Sequence, residues 1–128
     1  MVEVAVVVVV VEFNRSKTST RDSGNLSEDI AISYIENLGY RVIERNYYAR
    51  KLGEIDIIAI DNGVWHFIEV KSAQADFDPV YNFTPTKLRR VINSTYYYLK
   101  EKSLDVAFCI DVIVVRGGEI EFLENVTM

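Results

Sequence analysis

Asp56, Glu69 and Lys71 are the residues of this 128-residue chain with the most chemistry to offer. They lie on two apolar stretches, residues 54–60 and 64–71, joined by Asp61-Asn62-Gly63. An Asn-Gly pair between two apolar runs signals a two-residue hairpin turn. That turn fixes the register. Asp56 then faces Glu69, Glu54 faces Lys71, and all four project from one face because side chains alternate along a strand. Facing Cβ atoms lie about 4.5–5.5 Å apart, where like charges destabilise a sheet. The neighbours Ile55, Ile57, Ile58, Ile60, Trp65, Phe67, Ile68 and Val70 screen charge poorly. A hard divalent cation resolves the conflict. Mg²⁺ takes oxygen ligands from one or two carboxylates and keeps several waters. Such an ion neutralises a phosphate and activates water, and a lysine beside it stabilises developing charge. Phosphodiester hydrolysis is thus within reach without a cysteine or histidine nucleophile. The plainer reading has two edge acids, one paired with Lys71 and the other solvated.

The elements that must position these residues can be read from periodicity. Leu26, Ile30, Ala31, Tyr34, Ile35 and Leu38 recur at spacings of three and four from Gly24 onward, and Gly39 stands where a helix C′ glycine belongs. Glu28 falls in the first turn of that helix, where an acid meets the positive end of the dipole. Residues 40–49 read as a strand, Lys51-Leu52-Gly53 as a turn, and residues 73–83 as irregular. A second helix starts at Thr84 or Thr86 and runs to about Glu101, with Leu88, Val91, Ile92, Thr95, Tyr96 and Leu99 as its apolar face. Strands 105–115 and 119–124 follow, separated by Gly117-Gly118. Ahead of all this, residues 2–13 are valine-rich and read as a strand, because β-branched side chains favour extended backbone. Residues 14–23 read as a polar linker. The order predicts a small α/β domain with a mixed sheet flanked by helices.

Composition sets the limits. Length and a 49% hydrophobic content imply one globular domain and exclude a disordered chain. The lone Cys109 forms no internal disulfide and fits a reducing, cytoplasmic setting; in an apolar strand it reads as core packing. The valine run is too short to span a bilayer as a helix, and without a basic leading region it is not a signal peptide, so no membrane role is expected. The net charge of −5 repels a polyanion overall, but the charge is uneven. Arg41, Arg45, Arg50 and Lys51 against Glu44 make residues 40–53 net +3. Lys87, Arg89, Arg90, Lys100 and Lys102 against Glu101 make residues 84–102 net +4, and the tail from 103 is net −4. The basic segments flank the acids, as a nucleic-acid partner requires, although solvated faces give the same pattern. His66, the only histidine, alternates away from the carboxylates. Of Tyr96-Tyr97-Tyr98, at least one belongs to the core while another is free to stack on a base.

Asp56 with Glu69-Val70-Lys71 resembles the D…(D/E)-x-K signature of the PD-(D/E)XK nuclease superfamily. The stretches Gly24-Asn25-Leu26-Ser27-Glu28-Asp29-Ile30-Ala31, Leu38-Gly39-Tyr40, Arg45-Asn46, Gly53-Glu54-Ile55-Asp56-Ile57-Ile58-Ala59 and Phe67-Ile68-Glu69-Val70-Lys71, with Lys87, are similar to the YraN family of bacterial, Holliday-junction-resolvase-like proteins. The resemblance runs from about Gly24 to the C-terminus and leaves residues 1–23 outside it. It implies a restriction-endonuclease-like fold for residues 24–128 and an Mg²⁺ ion, or Mn²⁺, held by Asp56, Glu69 and the Val70 carbonyl. Lys71 then positions or activates water, Glu28 completes the site, and structured or branched DNA is the substrate. Lys87, Arg89, Arg90, Arg50 and Lys51 are the candidate DNA contacts. There are two departures: Ser72-Ala73 replaces the family's Thr-Arg, and Cys109-Ile110-Asp111 replaces its Arg-Phe-Asp, each removing an arginine.

The reading is therefore a DNA nuclease, with a homodimer as the assembly that suits two-fold junctions. Two rivals make different demands. A non-catalytic nucleic-acid-binding module keeps the fold and binds DNA in EDTA. An assembly protein pairs through the valine strand and is indifferent to its acids.

Overall fold

The Asn62-Gly63 turn organises the sheet. In the computed structural model, which describes residues 5–10, 20–72, 84–117 and 119–126, both turn residues have positive φ, 51° and 76°. The strands it joins pair in the expected register, Asp61 with Val64 through Ile57 with Ile68. The elements are β1 (Ala5–Val10), α1 (Thr20–Asn37), β2 (Arg41–Tyr48), a 3₁₀ turn (Arg50–Leu52), β3 (Glu54–Asp61), β4 (Val64–Ser72), α2 (Pro85–Glu101), β5 (Phe108–Arg116) and β6 (Glu119–Glu124). They form a six-stranded sheet in the order β1-β6-β5-β4-β3-β2. Among the described residues only β4 and β5 run parallel, and α2 lies in the crossover that a parallel pair needs. The structure is α/β, a mixed sheet flanked by helices.

The two helices cover opposite faces, and strand alternation sorts the core between them. Ile57, Ala59 and Ile68 pack with Ala31 and Ile35 of α1. Ile58 and Phe67, one position out of phase, pack with Val91, Tyr98 and Leu99 of α2. Phe67, Ile57, Ile58 and Ile68 are fully buried, and each such side chain contributes about 1.5–3 kcal/mol through removal from water. Tyr98 is the core member of the tyrosine triplet, whereas Tyr96 is 58% exposed. Thr84 caps α2, its side chain accepting from the Lys87 N–H at 3.3 Å, and Pro85 occupies the first turn.

Two element boundaries change, and with the first of them the place of Glu28. Helix α1 begins at Thr20, so residues 20–23 are helical rather than linker. Its first turn is polar and carries no apolar stripe, which left periodicity blind to it. Glu28 consequently sits two turns inside the helix, away from the dipole's positive end. Strand β5 starts at Phe108 rather than 105, because the end of α2 is closed by the Leu104 N–H on the Leu99 carbonyl and the chain must turn first. Within the valine run, residues 5–10 form β1 on the sheet edge, paired antiparallel with β6. The expectations for residues 2–4, 11–19 and 73–83 lie outside the described residues. Among the described residues no helix is long and apolar enough to cross a membrane.

Candidate functional site

The strand pairing that carries the hairpin stops at Ile57 and Ile68, one residue short of the acids. The expected cross-strand pair of Glu54 with Lys71 therefore does not form. Lys71 Nζ lies instead 3.2 Å from Glu69 Oε1, its neighbour on the same strand face. Asp56 reaches diagonally: its Oδ2 accepts a hydrogen bond from the Val70 N–H at 2.8 Å. The two acids remain close enough to interact: Glu69 raises the Asp56 pKa, while a hydrogen bond with Asp56 lowers that of Glu69.

A cavity of about 260 Å³ is lined by Gly53, Glu54, Asp56, Glu69, Lys71, Lys87, Arg90 and Val91. Acids from β3 and β4 make one wall, and α2 brings two cations to the other. Gly53 allows this approach. Its φ of 145° is one that L side chains rarely adopt, and a Cβ there would stand 3.1 Å from Ser94 Oγ on α2.

Electrostatics mark the acids as strained in the absence of a counter-ion. Burial pushes the Asp56 carboxyl up to about 7, helped by Glu69, Glu28 and Glu54; the Val70 hydrogen bond works against this. Burial also raises Glu69, while Lys71 beside it pulls back. Both groups would be stabilised by a cation between them.

Glu28, from the helix on the opposite face, contributes to the field at Asp56. Its Oε1 is buried without a hydrogen-bond partner and lies 3.5 Å from Arg45 Nη2, which is itself held by Asp29 at 2.9 Å. A hydroxyl contact between Ser27 and Ser72 ties this helix to the end of β4, directly after Lys71. The acid set thus comprises Asp56, Glu69 and Glu54 in the cavity, with Glu28 behind them. An oxygen-only donor set with an orphaned carboxylate oxygen is chemistry that a hard divalent cation fits.

The basic residues divide. Lys87 and Arg90 line the cavity. Arg89 is exposed on the same helix but is not among the lining residues, and Arg50 and Lys51 stand exposed on the 3₁₀ turn just before Gly53.

Sequence reading missed one polar grouping. His66, as expected, points away from the carboxylates, but it does not sit in an apolar setting. It meets Cys109 and the fully buried Asp111 across the β4–β5 pair. Sequence carries half of the signal: Cys109-Ile110-Asp111 on an alternating strand puts the thiol and the acid on one face, but nothing in it brings His66 to them.

Comparison with known proteins gives the family. Residues 27–115 match the uncharacterised protein family UPF0102. The chain is 63% identical to a UPF0102 protein of Sulfurovum sp. over 105 residues, 82% of this chain and 93% of the relative. It is 51% identical to one of Wolinella succinogenes (85% of this chain, 99% of the relative) and 45% identical to one of Helicobacter pylori strain P12 (84% and 92%). The matched span holds Glu28, Asp56, Glu69, Lys71, Lys87 and Arg90, and the chain belongs to the UPF0102 family.

Proposed function

We propose that this protein is a Mg²⁺-dependent nuclease of the PD-(D/E)XK type, close to the YraN proteins, that hydrolyses phosphodiester bonds in structured or branched DNA. One observation carries the reading: two half-buried carboxylates and a lysine share a small cavity with two cations from the facing helix. Asp56 and Glu69, with the Val70 carbonyl, would hold the metal, and Mn²⁺ could replace Mg²⁺. When bound, that ion supplies charge neutralisation at phosphorus and a lowered pKa for the attacking water.

The chain's own residues do the rest. The Val70 N–H fixes the rotation of the Asp56 carboxylate. Glu69 holds the Lys71 ammonium at the cavity, where it can orient a nucleophile or stabilise charge on the phosphate. Lys87 and Arg90 face the acids and supply the attraction for a phosphate that the acids would otherwise repel. Arg50, Lys51 and Arg89 extend the basic surface beyond the cavity.

The deciding experiment is cleavage of linear, flapped and four-way-junction DNA with Mg²⁺ or Mn²⁺, with Asp56→Ala as control. Metal-dependent cleavage that disappears in Asp56→Ala supports the reading. DNA binding that persists in EDTA, with no cleavage of any substrate under either metal, overturns it in favour of a binding module.

A further inference from the structure

Strands β4 and β5 pair in parallel with His66 opposite Cys109. Asp111, two residues on, projects from the same face as Cys109. Three donor atoms of different kinds therefore converge in the sheet, on the side opposite the carboxylate cavity. His66 Nδ1 lies 2.6 Å from Asp111 Oδ2 and 3.0 Å from Cys109 Sγ, and Cys109 Sγ lies 3.5 Å from Asp111 Oδ1. All three residues are buried, Asp111 completely.

Hydrogen bonds can close the three groups in only one way, with Nδ1–H donating to Asp111 Oδ2 and the Cys109 thiol donating to Asp111 Oδ1, and they leave the sulfur against the imidazole N–H. Both the carboxylate and the sulfur approach the same ring nitrogen, which carries at most one proton. If that proton goes to Asp111 at 2.6 Å, the sulfur faces an N–H and must turn its own hydrogen to the longer 3.5 Å contact. The same convergence excludes a nucleophilic triad, which needs the thiol on one ring nitrogen and the acid on the other.

The remaining polar contact supports a ligand role. Asp111 Oδ1 accepts from the Asn125 N–H at 2.7 Å, which sets the carboxylate rotation and leaves Oδ2 aimed at the imidazole. Metal-binding carboxylates are held in this way by backbone donors. The Tyr40 ring packs against His66 at 4.8 Å between centroids and limits rotation of the imidazole.

We propose that His66 Nδ1, Cys109 Sγ and Asp111 Oδ2 form a binding site for one divalent ion of the Zn²⁺ class, with water completing the tetrahedron. Thiolate, imidazole and carboxylate together select a borderline-soft ion over Mg²⁺. A tetrahedral ion with donors at about 2.0–2.3 Å holds them roughly 3.3–3.6 Å apart. Side-chain shifts of a few tenths of an ångström each accommodate that spacing. The Cys109 proton is released to solvent on binding, leaving a thiolate, and no redox change is involved. The ion ties β4 to β5 and, through Asn125, to the chain after β6.

Co²⁺ titration of the metal-stripped full chain tests this. One equivalent should give a thiolate-to-cobalt charge-transfer band with tetrahedral d–d bands. Cys109→Ser should lose the charge-transfer band, and Asp56→Asn should keep it, separating this site from the proposed catalytic one. One equivalent of Zn²⁺ should displace the cobalt and raise the wild-type melting midpoint by several degrees, while Mg²⁺ should not displace it. No charge-transfer band, or a band that survives Cys109→Ser or vanishes in Asp56→Asn, overturns the assignment. Should Cys109→Ser not fold, zinc-edge absorption on the wild type decides instead: one sulfur among the donors supports the site, and none refutes it.

Discussion

Asp56→Asn should make the metal-free protein more stable at pH 8 and no more stable at pH 4. The Asp56 carboxyl is raised from 3.8 to about 7, chiefly by burial and by the facing Glu69. A carboxyl whose folded pKa is raised favours the fold while it is protonated. Its contribution is therefore present below about pH 4, the unfolded value, and is lost as pH rises through 7. At about 1.4 kcal/mol per unit the full shift sets a ceiling of about 4 kcal/mol. The cavity mouth admits water, and the strain is shared with Glu69, so about 2 kcal/mol is the realistic size. For a chain of this length that corresponds to roughly 5–10 °C in melting midpoint. Asn keeps an oxygen for the Val70 N–H, so the hydrogen bond is preserved and the change isolates charge. The assay is thermal melting followed by circular dichroism, in EDTA, from pH 4 to 8.5. Wild type should lose stability relative to the variant across that range. Mg²⁺ should then restore wild type at pH 8 and leave Asp56→Asn unmoved. An Asp56→Asn advantage that is absent at pH 8, or equal at pH 4 and pH 8, would refute the burial-and-repulsion argument.

Lys71→Met should reduce the proposed cleavage by at least about 100-fold, the scale of one lost charge-stabilising group, while DNA retention in a gel-shift assay falls far less. Lys87→Ala and Arg90→Ala should each weaken DNA binding on all sequences and lower the slope of log affinity against log salt by about 1, read by fluorescence anisotropy. Gly53→Ala should destabilise the fold by about 1–3 kcal/mol in urea melts, because the residue sits at φ 145° with Ser94 Oγ 3.1 Å from the added carbon.

The hairpin was legible because its information is local. Asn62-Gly63 fixes the turn type, the turn fixes the register, and the register places Glu69 and Lys71 on the α2 face and His66 on the other. The start of α1 was hidden because Thr20, Arg21, Asp22 and Ser23 carry no apolar stripe, and a helix end without a stripe looks like a linker. The meeting of His66, Cys109 and Asp111 was hidden for a different reason. Their contact depends on the parallel register of β4 and β5, which is set by the length and docking of the intervening α2 crossover and by no turn that a sequence displays. Read singly, a buried histidine and a buried cysteine are ordinary core residues. Together they are not, and only the register says that they are together.

The point at which the hairpin register ceases to hold also explains why a site exists there. Had the ladder continued past Ile57 and Ile68, Asp56 and Glu69 would be locked as a direct pair at about 4.5–5.5 Å between Cβ atoms. No room would remain between them for an ion with its water. Instead the pairing with β4 ends there while β3 stays paired with β2 through Tyr47 and Tyr48, and Asp56 takes the Val70 amide, one residue beyond its formal partner. The freed space is the cavity that α2 then roofs with Lys87 and Arg90. The apolar half of the hairpin contributes stability by pairing fully, and that surplus tolerates two strained carboxylates where the pairing ends. Chemistry and folding therefore divide the same two strands at Ile57 and Ile68. A substitution on the turn side of that line should cost stability, and one on the acid side should cost activity.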